Sequence, residues 1–370
     1  MKRILIVGLK DPAGGVESAI IEQVRHLDPI EVRTDFVIFG DKCSFEQKIS
    51  EFGGRVLYMP SRVRNPKGYK SVLNSIFSNE EYDAVWCNFS GLTNIDFLVF
   101  AKKFGVPCRI AHAHTSAFAW GNILMKYLVP LFHYKNQRKI HRFATHFWAC
   151  SKASGEFMFG PRNMNRVEVK KNPIDTEKYI RREEIRQKIR DEFGIGDCPV
   201  VCHVGRMCTA KNQNFLLDIF AKLVSAKPEF KLLFVGDGEL NSEVTSHAEE
   251  LGLGEALIFA GTRNDVPEIL QASDMFLLPS VTEGLPVTAI EAQAAGLCCV
   301  VSSEAVPKET DVTGNVIFVS LNDSLDLWVD AVVSAVDRYI ADGAEKVAQM
   351  GYDSVSEASK LQKFFTGDKI

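Results

Sequence analysis

The sequence predicts an α/β protein made of two parallel-sheet domains. Apolar runs of strand length alternate with amphipathic stretches of helix length along the chain, a pattern typical of parallel sheets covered by helices on both faces. The pattern occurs twice, and the break lies near residues 172–176, where Asn172 precedes Pro173 and helix is disfavoured. A length of 370 residues also suits two domains with separate cores. We therefore expect domains at residues 1–172 and 176–350.

Each half contains a series of short apolar runs that we interpret as strands. In the first half they are Ile4–Val7, Arg33–Phe39, Val56–Met59, Ala84–Cys87, Arg109–His112 and His146–Cys150. In the second half they are Val200–Val204, Lys231–Val235, Leu257–Ala260, Met275–Leu278, Cys298–Val301 and Val316–Val319. Helix patterns separate them, including Val16–Leu27 and the highly charged Tyr179–Phe193. Because ligands of open α/β sheets bind beyond the carboxyl ends of the strands, the loops that follow these runs are the candidate sites.

Composition excludes several classes of protein. An apolar fraction of 46% and a charged fraction of 24% are ordinary for a globular protein and argue against disorder. The net charge of −4 combines a basic half, with 25 Lys/Arg against 16 Asp/Glu in residues 1–175, and an acidic half, with 18 against 31 in residues 176–370. Nine cysteines without CxxC or CxxH spacing argue against a disulfide framework and a zinc site. The apolar run near the start of the sequence is too short for a signal-peptide core, and no uncharged apolar stretch reaches the length of a transmembrane helix, so we expect a cytoplasmic protein.

The most informative run is an acid-flanked turn that leads from a loop into a helix. Its sequence is Glu283-Gly284-Leu285-Pro286-Val287-Thr288-Ala289-Ile290-Glu291-Ala292. Pro286, with a fixed φ and no N–H, suits the first helical position, and Gly296 suits the helix end. The amides of Val287 and Thr288 then lack intrahelical acceptors at the positive end of the helix dipole. This position favours a bound phosphate oxygen.

Carboxylates and cations flank this predicted anion site. Glu283 on the loop and Glu291, about one turn into the helix, can accept hydrogen bonds from sugar and ribose hydroxyls. Upstream, Arg206 and Lys211 follow the strand Val200–Val204 and offer a forked and a point donor to a diphosphate. A capping acid and solvated cations are the alternative interpretation. The combination favours a nucleoside diphosphate sugar.

The pattern E-G-L-P-x4-E-A, with Val204-Gly205-Arg206 and Lys211-Asn212 upstream, resembles the nucleotide-sugar site of glycosyltransferase family 4, the glycosyl transferases group 1. The resemblance covers nearly the whole chain and extends to bacterial exopolysaccharide, capsule and O-antigen glycosyltransferases. It implies the GT-B fold, in which two Rossmann-like parallel-sheet domains face one another across a cleft. It also implies that Glu283 contacts the donor sugar and Glu291 the ribose. Arg206 and Lys211 would bind the diphosphate.

The same resemblance assigns further residues in both domains. In the first domain, Gly14 and Gly15 would let the backbone approach the donor, and His114 would lie beside the reacting sugar. His114 and Glu283 are then the expected catalytic residues, whereas we interpret His112 as a buried, hydrogen-bonded histidine. The last helix, about residues 353–370, would pack back on the first domain. Further donor-binding residues would be Leu285, Val287, Thr288 and, near the base, Arg263.

A basic and aromatic segment accounts for most of the charge asymmetry. Residues 97–155 contain no Asp or Glu but nine Lys/Arg and five His. Such a surface suits anionic lipid headgroups, and our hypothesis is that residues 120–148 attach to the inner face of the cell membrane. A helix packed on the sheet with a solvated basic face is the alternative, and the sequence leaves both open. Helical spacing would put four cations on one face, beside an apolar face that is interrupted by Pro130. The four cations are Lys135, Arg138, Lys139 and Arg142.

Other activities lack their motifs. No G-x-G-x-x-G follows the first strand of either half, Walker A is absent, and no Asp-x-Asp pair offers ligands for a metal-bound diphosphate. We expect a retaining transferase that moves a hexose from a nucleoside diphosphate sugar, with UDP favoured, to a saccharide or lipid-linked acceptor. No metal, other cofactor or nucleic acid is expected. A non-catalytic GT-B partner subunit and a GT-B sugar-nucleotide epimerase are the alternatives.

Overall fold

The computed structural model describes residues 1–11, 14–118 and 123–367, without the side chains of residues 123–127. The chain divides into two compact units. The first unit contains Met1–Ile174 together with Ser354–Ile370, and the second contains Asp175–Asp353. These bounds lie within a few residues of those expected from the sequence.

The first unit is built on a parallel sheet. Within the described residues its strands are β1 (Lys2–Leu9), β2 (Val32–Phe39), β3 (Arg55–Met59), β4 (Ala84–Phe89), β5 (Cys108–Ala113), β6 (His146–Ala149) and β7 (Val167–Val169). They pair in the order β3-β2-β1-β4-β5-β6-β7. The helices of residues 1–174 are α1 (Gly15–Val24), α2 (Glu46–Glu51), α3 (Pro66–Asn79), α4 (Asp96–Lys103), α5 (Ile123–Gln137) and α6 (Lys152–Phe159).

Strand β1 shows why both faces of this sheet are covered. Ile4 and Ile6 belong to the apolar cluster that includes the α1 residue Ile20, whereas Leu5 and Val7 belong to the opposite cluster, with residues of α3 and α4. Successive side chains of a strand point to opposite faces, so an uninterrupted apolar run fills two cores at once.

The second unit repeats this architecture. Within the described residues its strands are β8 (Val200–Val204), β9 (Lys231–Val235), β10 (Leu257–Gly261), β11 (Met275–Leu278), β12 (Cys298–Ser302) and β13 (Val316–Val319). They pair in parallel in the order β10-β9-β8-β11-β12-β13. The helices are α7 (Glu183–Glu192), α8 (Gln213–Ala226), α9 (Asn241–Glu250), α10 (Val266–Ala272), α11 (Val287–Ala294), α12 (Leu325–Val336) and α13 (Gly343–Val347).

The last helix, α14 (Ser354–Thr366), returns to the first unit. Its residues Ala358, Leu361 and Phe365 are buried in the same cluster as α1 and the β1 residue Ile4. The side chain of Gln362 accepts a hydrogen bond from the backbone N–H of Asp28, at 2.9 Å. Helix α14 is thus part of the first core.

The main structural corrections concern short or charged segments. The sequence analysis missed β7, whose three residues include the exposed Glu168. The predicted helix Tyr179–Phe193 is wrong as a single element, because it consists of the end of a 3-10 helix, Thr176–Tyr179, and of α7. The predicted helix Val16–Leu27 ends earlier, at Val24.

The basic segment also differs from its prediction. Helix α5 continues through Pro130 rather than being interrupted there, and it ends at Gln137. Arg138 and Lys139 lie beyond that end, and Arg142 belongs to a separate 3-10 helix, Ile140–Arg142. The predicted helical face shared by these cations with Lys135 is therefore wrong. Among the helices described, none is long and apolar enough to cross a membrane.

Replacement of Leu361 by Ala tests the contribution of α14. We expect this change to lower the free energy of unfolding by about 2–5 kcal/mol, because it removes buried methyl groups and leaves a cavity. Urea unfolding followed by circular dichroism measures the effect. Val355→Ala is the matched control, since Val355 lies on the same helix with its side chain exposed. Equal losses for the two variants would contradict the packing of α14.

Candidate functional site

The candidate site of the second unit lies where the carboxyl ends of neighbouring strands approach closely. Gly236, directly after β9, has a φ of +131°, and a Cβ added there would lie 2.0 Å from the carbonyl oxygen of Gly205. The N–H of Gly236 donates to the oxygen of Gly261, and that of Gly205 donates to the oxygen of Val235. Only glycine fits this position, because other residues avoid positive φ and would collide with the backbone. The loops after β8, β9 and β10 are thereby held together.

An ion pair joins two of the predicted site residues. The ammonium of Lys211 lies 2.7 Å from Oε1 of Glu283, and the hydroxyl of Ser280 donates to the same oxygen, at 2.6 Å. The side chains of Lys211 and Glu283 are only 18% and 10% exposed. The loop after β8 therefore meets the acid-flanked turn after β11, as the motif predicted.

Backbone contacts fix the two loops that carry this pair. The N–H of Val281 donates to the oxygen of Ala210, at 2.9 Å. The side-chain amide of Asn212 donates to the oxygen of Pro279, at 3.1 Å. Asn212 precedes α8 with a φ of +58°, a left-handed conformation that Asn tolerates better than most residues. The loops that carry Lys211 and Glu283 are thus joined by one main-chain hydrogen bond and by one hydrogen bond from a side chain to the main chain.

Arg206 is far more exposed than Lys211. Its side chain is 72% exposed and pairs with Glu239, with Nη2 at 2.9 Å from Oε2. The side chain of Gln213 donates to the backbone oxygen of Arg206, at 2.8 Å, and so fixes the main chain there. The structure thus places Arg206 on the loop after β8, paired with an acid of its own unit.

The helix start at the acid-flanked turn is shifted by one residue from the prediction. Pro286 has an extended ψ of 102° and is the residue before α11, so the first helical residue is Val287. The amides of Val287 and Thr288 are still those that helix geometry leaves without an intrahelical acceptor. The Oγ1 of Thr288 is buried and has no hydrogen-bond partner among the described residues. Leu285 is buried beneath the turn.

The second acid lies inside α11 and contacts the segment that enters the second unit. The hydroxyl of Tyr179 donates to Oε1 of Glu291, at 2.9 Å. Burial raises the pKa of Glu291, and the hydrogen bond from Tyr179 opposes that shift. A carboxyl group at this position, one turn into the helix, can accept hydrogen bonds from hydroxyl groups. The sequence analysis missed Tyr179, because no motif marks this position.

Arg263 lies just beyond β10 and is held by acids of its own unit. Its guanidinium contacts Asp265 at 2.6 Å and Glu192 at 2.8 Å, and it lies over the ring of Phe193. Hydrogen bonds to these two carboxylates raise the pKa of Arg263. The structure does not connect Arg263 with Lys211 or Glu283 through any contact among the described residues. Its role at the base stays a prediction.

The glycine loop of the first unit caps α1. Gly14 precedes the helix with a φ of −114°, and Glu17 accepts from the N–H groups of Gly14, at 2.9 Å, and Lys10, at 3.0 Å. A Cβ added at Gly15 would meet none of the described residues within 4 Å, its chain neighbours apart. The part of the loop formed by residues 12–13 lies outside the described residues.

The two histidines at the end of β5 are buried together. As strand alternation predicted, His112 and His114 lie on the same side, with ring centroids 4.0 Å apart. Nδ1 of His112 accepts from the indole N–H of Trp86, at 3.1 Å, which confirms the interpretation of His112 as a buried, hydrogen-bonded residue. His114 is 6% exposed, and burial lowers its pKa to about 3. The imidazole of His114 is therefore neutral at physiological pH.

Among the described residues, no group of three or more His, Cys, Asp or Glu side chains is arranged to hold a metal ion. The nine cysteines are free thiols, and Cys298 and Cys299 are buried in β12.

The sequence analysis also missed Ser280 and Asn212 as contacts of the site. Asn212 was visible in the upstream motif, but its contact with Pro279 joins positions far apart in the sequence.

Comparison with known proteins identifies the family. The family model described as glycosyl transferases group 1 matches residues 185–352. The glycosyltransferase EpsF of Bacillus subtilis is 31% identical over 379 residues, which cover 97% of this chain and 95% of EpsF. An Escherichia coli UDP-Gal:α-D-GlcNAc-diphosphoundecaprenol α-1,3-galactosyltransferase is 28% identical over 340 residues, covering 84% of this chain and 83% of that enzyme.

Solved structures agree on the fold. The crystal structure of Anabaena HepE in complex with UDP superimposes with a TM-score of 0.80 at 20% identity, covering 99% of this chain and 100% of HepE. WaaG, a glycosyltransferase involved in lipopolysaccharide biosynthesis, superimposes with a TM-score of 0.72 at 16% identity, covering 98% of this chain and 100% of WaaG. Two parallel-sheet Rossmann-like units, the acid-flanked turn and these relatives lead to one conclusion: the chain belongs to the group 1 glycosyltransferases, enzymes of the GT-B fold.

Proposed function

We propose that this enzyme transfers a sugar from a UDP-sugar to an acceptor hydroxyl with retention of the anomeric configuration, using a donor site in the second unit. The observation that carries the proposal is the contact between Lys211 and Glu283, at 2.7 Å, beside the start of α11. An ammonium group, free helix-start amides and hydroxyl-accepting carboxylates are the groups that a nucleoside diphosphate sugar requires.

Each donor-site residue has a physical task in this proposal. Lys211 has three N–H donors, so it can keep its contact with Glu283 and still donate to the diphosphate. Arg206 exchanges Glu239 for the diphosphate, at little cost, because an exposed ion pair contributes only about 0–1 kcal/mol. Glu291 accepts from the ribose and Glu283 from the sugar. The cations stabilise the charge that develops on the departing diphosphate, and no protein nucleophile is required.

Two of the similar proteins are described with UDP or a UDP-sugar, and another with GDP-mannose. The Escherichia coli relative uses UDP-Gal by its name, and HepE was solved with UDP and with UDP-glucose. A mannosyltransferase of Mycolicibacterium smegmatis, 26% identical over 359 residues, is described as GDP-mannose-dependent. The 28% identity to the enzyme that uses UDP-Gal and the HepE complexes with UDP favour UDP as the nucleotide of the donor.

The acceptor we propose is a lipid-linked saccharide in the synthesis of a bacterial surface polysaccharide. The relative that acts on a diphosphoundecaprenol-linked GlcNAc supports this class of acceptor. The first unit would bind the acceptor, with His114 near the reacting sugar. No metal takes part in this scheme, because the cations Arg206 and Lys211 neutralise the diphosphate.

The outward face of α5 supports attachment to a membrane. The inward face is polar: the buried His133 accepts from the N–H of Leu92, and the buried Asn136 donates to the oxygen of Leu92. The outward face is apolar and aromatic, although a solvated helix normally shows the opposite arrangement. The exposed side chains of this face are Leu128, Leu131, Phe132 and Tyr134.

Exposed cations accompany this apolar face. Lys135, four residues after Leu131, lies on the same side of α5, and Arg138 and Arg142 are exposed further along the chain. Apolar side chains that insert among acyl chains and cations that meet anionic headgroups are the two attractions that hold peripheral helices on a bilayer. We therefore propose that α5 attaches the enzyme to anionic lipid, where a lipid-linked acceptor is accessible.

Glu291→Gln tests the ribose contact. We expect this change to weaken UDP binding about 10- to 100-fold, because a hydrogen bond to a charged group contributes about 1.5–3 kcal/mol. Isothermal titration measures the affinity for UDP and for 2′-deoxyuridine diphosphate. The wild type should prefer UDP, whereas the variant should bind both alike.

Glu309→Gln is the control for this experiment, since Glu309 is an exposed acid of the same unit. The Gln side chain keeps an acceptor for the hydroxyl of Tyr179, so the variant should remain folded. Unchanged affinity and unchanged preference for UDP would remove Glu291 from the site.

Membrane attachment is tested by flotation with liposomes that contain anionic lipid. We expect the double variant Lys135→Glu/Arg138→Glu to lose most of its binding, because each cation near the surface contributes about 1 kcal/mol. The control is Lys48→Glu/Lys70→Glu, which makes the same change of charge at exposed positions of α2 and α3. Leu131→Ser/Phe132→Ser should also reduce flotation. Equal flotation of all variants would overturn the proposal.

Metal dependence has a direct test. After dialysis against EDTA, turnover of the donor is expected to stay the same, because Lys211 and Arg206 supply the positive charge. Addition of Mg²⁺ or Mn²⁺ should not raise the rate by more than about twofold. Loss of turnover in EDTA with full recovery in either metal would show that a cation is required.

A further inference from the structure

Four buried polar side chains form two hydrogen-bonded pairs that lie side by side in the first unit. The indole N–H of Trp86 donates to Nδ1 of His112, at 3.1 Å. Nε2 of His114 contacts Oδ1 of Asn88, at 2.9 Å, and Nδ2 of Asn88 donates to the oxygen of Val7, at 3.2 Å. All four side chains are at least nine-tenths buried.

The tautomers of His112 and His114 follow from the fixed hydrogen-bonding groups of their partners, Trp86 and Asn88. An indole can only donate, so Nδ1 of His112 is an acceptor and its proton is on Nε2. Asn88 uses its amide nitrogen on Val7, so its oxygen accepts and the proton of His114 is also on Nε2. Burial lowers the pKa of both histidines, which keeps each ring neutral with a single proton.

The two ring nitrogens that remain are complementary. Nε2 of His112 is a donor and Nδ1 of His114 is an acceptor, and both atoms are buried with no partner among the described residues. The two rings are neighbours, with centroids 4.0 Å apart and an angle of 45° between their planes. A small rotation would let the donor of one ring meet the acceptor of the other, and would remove the cost of two unpaired buried groups.

We propose that Trp86 and His112 are positioning residues for His114, through a hydrogen-bond chain that runs from Trp86 through His112 and His114 to Asn88. This inference rests on the proposed function, in which His114 lies beside the reacting sugar. The chain occupies both ring nitrogens of His114. His114 therefore contributes through the fixed position of its ring and main chain at the end of β5, and transfers no proton.

Packing holds the first member of this chain. The planes of Trp86 and His112 lie at 17° to one another, with ring centroids 5.8 Å apart, and Trp86 meets Trp148 edge to face, with centroids 5.6 Å apart. The ring of Phe365 in α14 is also a neighbour of Trp86, with centroids 6.5 Å apart. Trp148 and Phe365 thus hold the indole whose N–H donates to Nδ1 of His112, and α14 takes part in fixing its direction.

Nuclear magnetic resonance on the full chain labelled with 15N-histidine tests the hydrogen-bond chain without reference to activity. We expect both His112 and His114 as Nε2–H tautomers, with imidazole protons protected from exchange. Trp86→Phe should release the tautomer of His112 and abolish the protected signal. Trp148→Phe, which changes an indole beside the same ring but outside the chain, should keep it. A His114 protonated on Nδ1, or rapid exchange of both protons in the wild type, would overturn the proposal.

Kinetics test the positioning role. His112→Leu should lower kcat about 10²-fold, the effect expected of a misplaced group near the chemistry, with the donor KM changed less than twofold. His112→Gln, which can both accept from Trp86 and donate to His114, should recover most of the loss. Circular dichroism checks folding, and Trp86→Phe replaces His112→Leu if that variant does not fold.

The two arms separate the possible failures. A folded His112→Leu enzyme with the kcat of the wild type would overturn the positioning role even if the resonances confirm the chain. Absence of turnover with every sugar nucleotide would overturn the proposed function, and with it the positioning role. The tautomers would then still show whether the buried chain exists.

Discussion

The ion pair between Lys211 and Glu283 is the contact on which the donor site depends. It joins the loop after β8 to the turn that leads into α11, and hydrogen bonds from the backbone N–H of Val281 and the side-chain amide of Asn212 hold both loops in place. Without it, an ammonium and a carboxylate would be left partly buried and unpaired, which is costly. The pair therefore places a cation and a hydroxyl acceptor beside the amides of one helix start, where a diphosphate and a sugar can be bound together.

The first unit is organised by a different constraint, the satisfaction of buried polar groups. His112 and His114 lie inside an apolar sheet, where burial keeps their rings neutral, and each has one ring nitrogen in a hydrogen bond, with Trp86 and Asn88 respectively. Helix α5 is anchored on Leu92 through the buried polar groups of His133 and Asn136, which leaves its apolar side chains outside. Polar residues thus fix both the end of β5 and the orientation of α5. The two proposals for this unit, a positioned histidine and a lipid-binding face, both follow from that arrangement.

Periodicity predicted most of the fold because both sheets are buried on two faces. Such strands are continuous apolar runs, so β8, β9, β11 and β13 have the predicted bounds, whereas the short and half-exposed β7 has no such pattern. The loops that carry Lys211 and Glu283 meet because both follow strands at one edge of the sheet, and the roles of the two residues toward a donor stay predictions. Contacts between positions far apart in the sequence were not predictable, because they depend on tertiary packing. Examples are the ion pair of Arg263 with Glu192, the hydrogen bond from Tyr179 to Glu291, and the polar face that α5 turns inward. For the same reason, periodicity wrongly gave α5 a shared basic face and a break at Pro130.

The affinity of the Lys211→Met variant for UDP, compared with its affinity for uridine, tests the central claim most directly. Isothermal titration calorimetry gives four dissociation constants, those of wild type and variant for UDP and for uridine, all measured at the same ionic strength. If Lys211 binds the diphosphate, the variant should lose about 10- to 100-fold in UDP affinity, because a charge-assisted hydrogen bond contributes about 1.5–3 kcal/mol, while uridine binding stays unchanged. Equal losses for UDP and uridine, or no loss for either, would contradict the claim that this ion pair marks the diphosphate site.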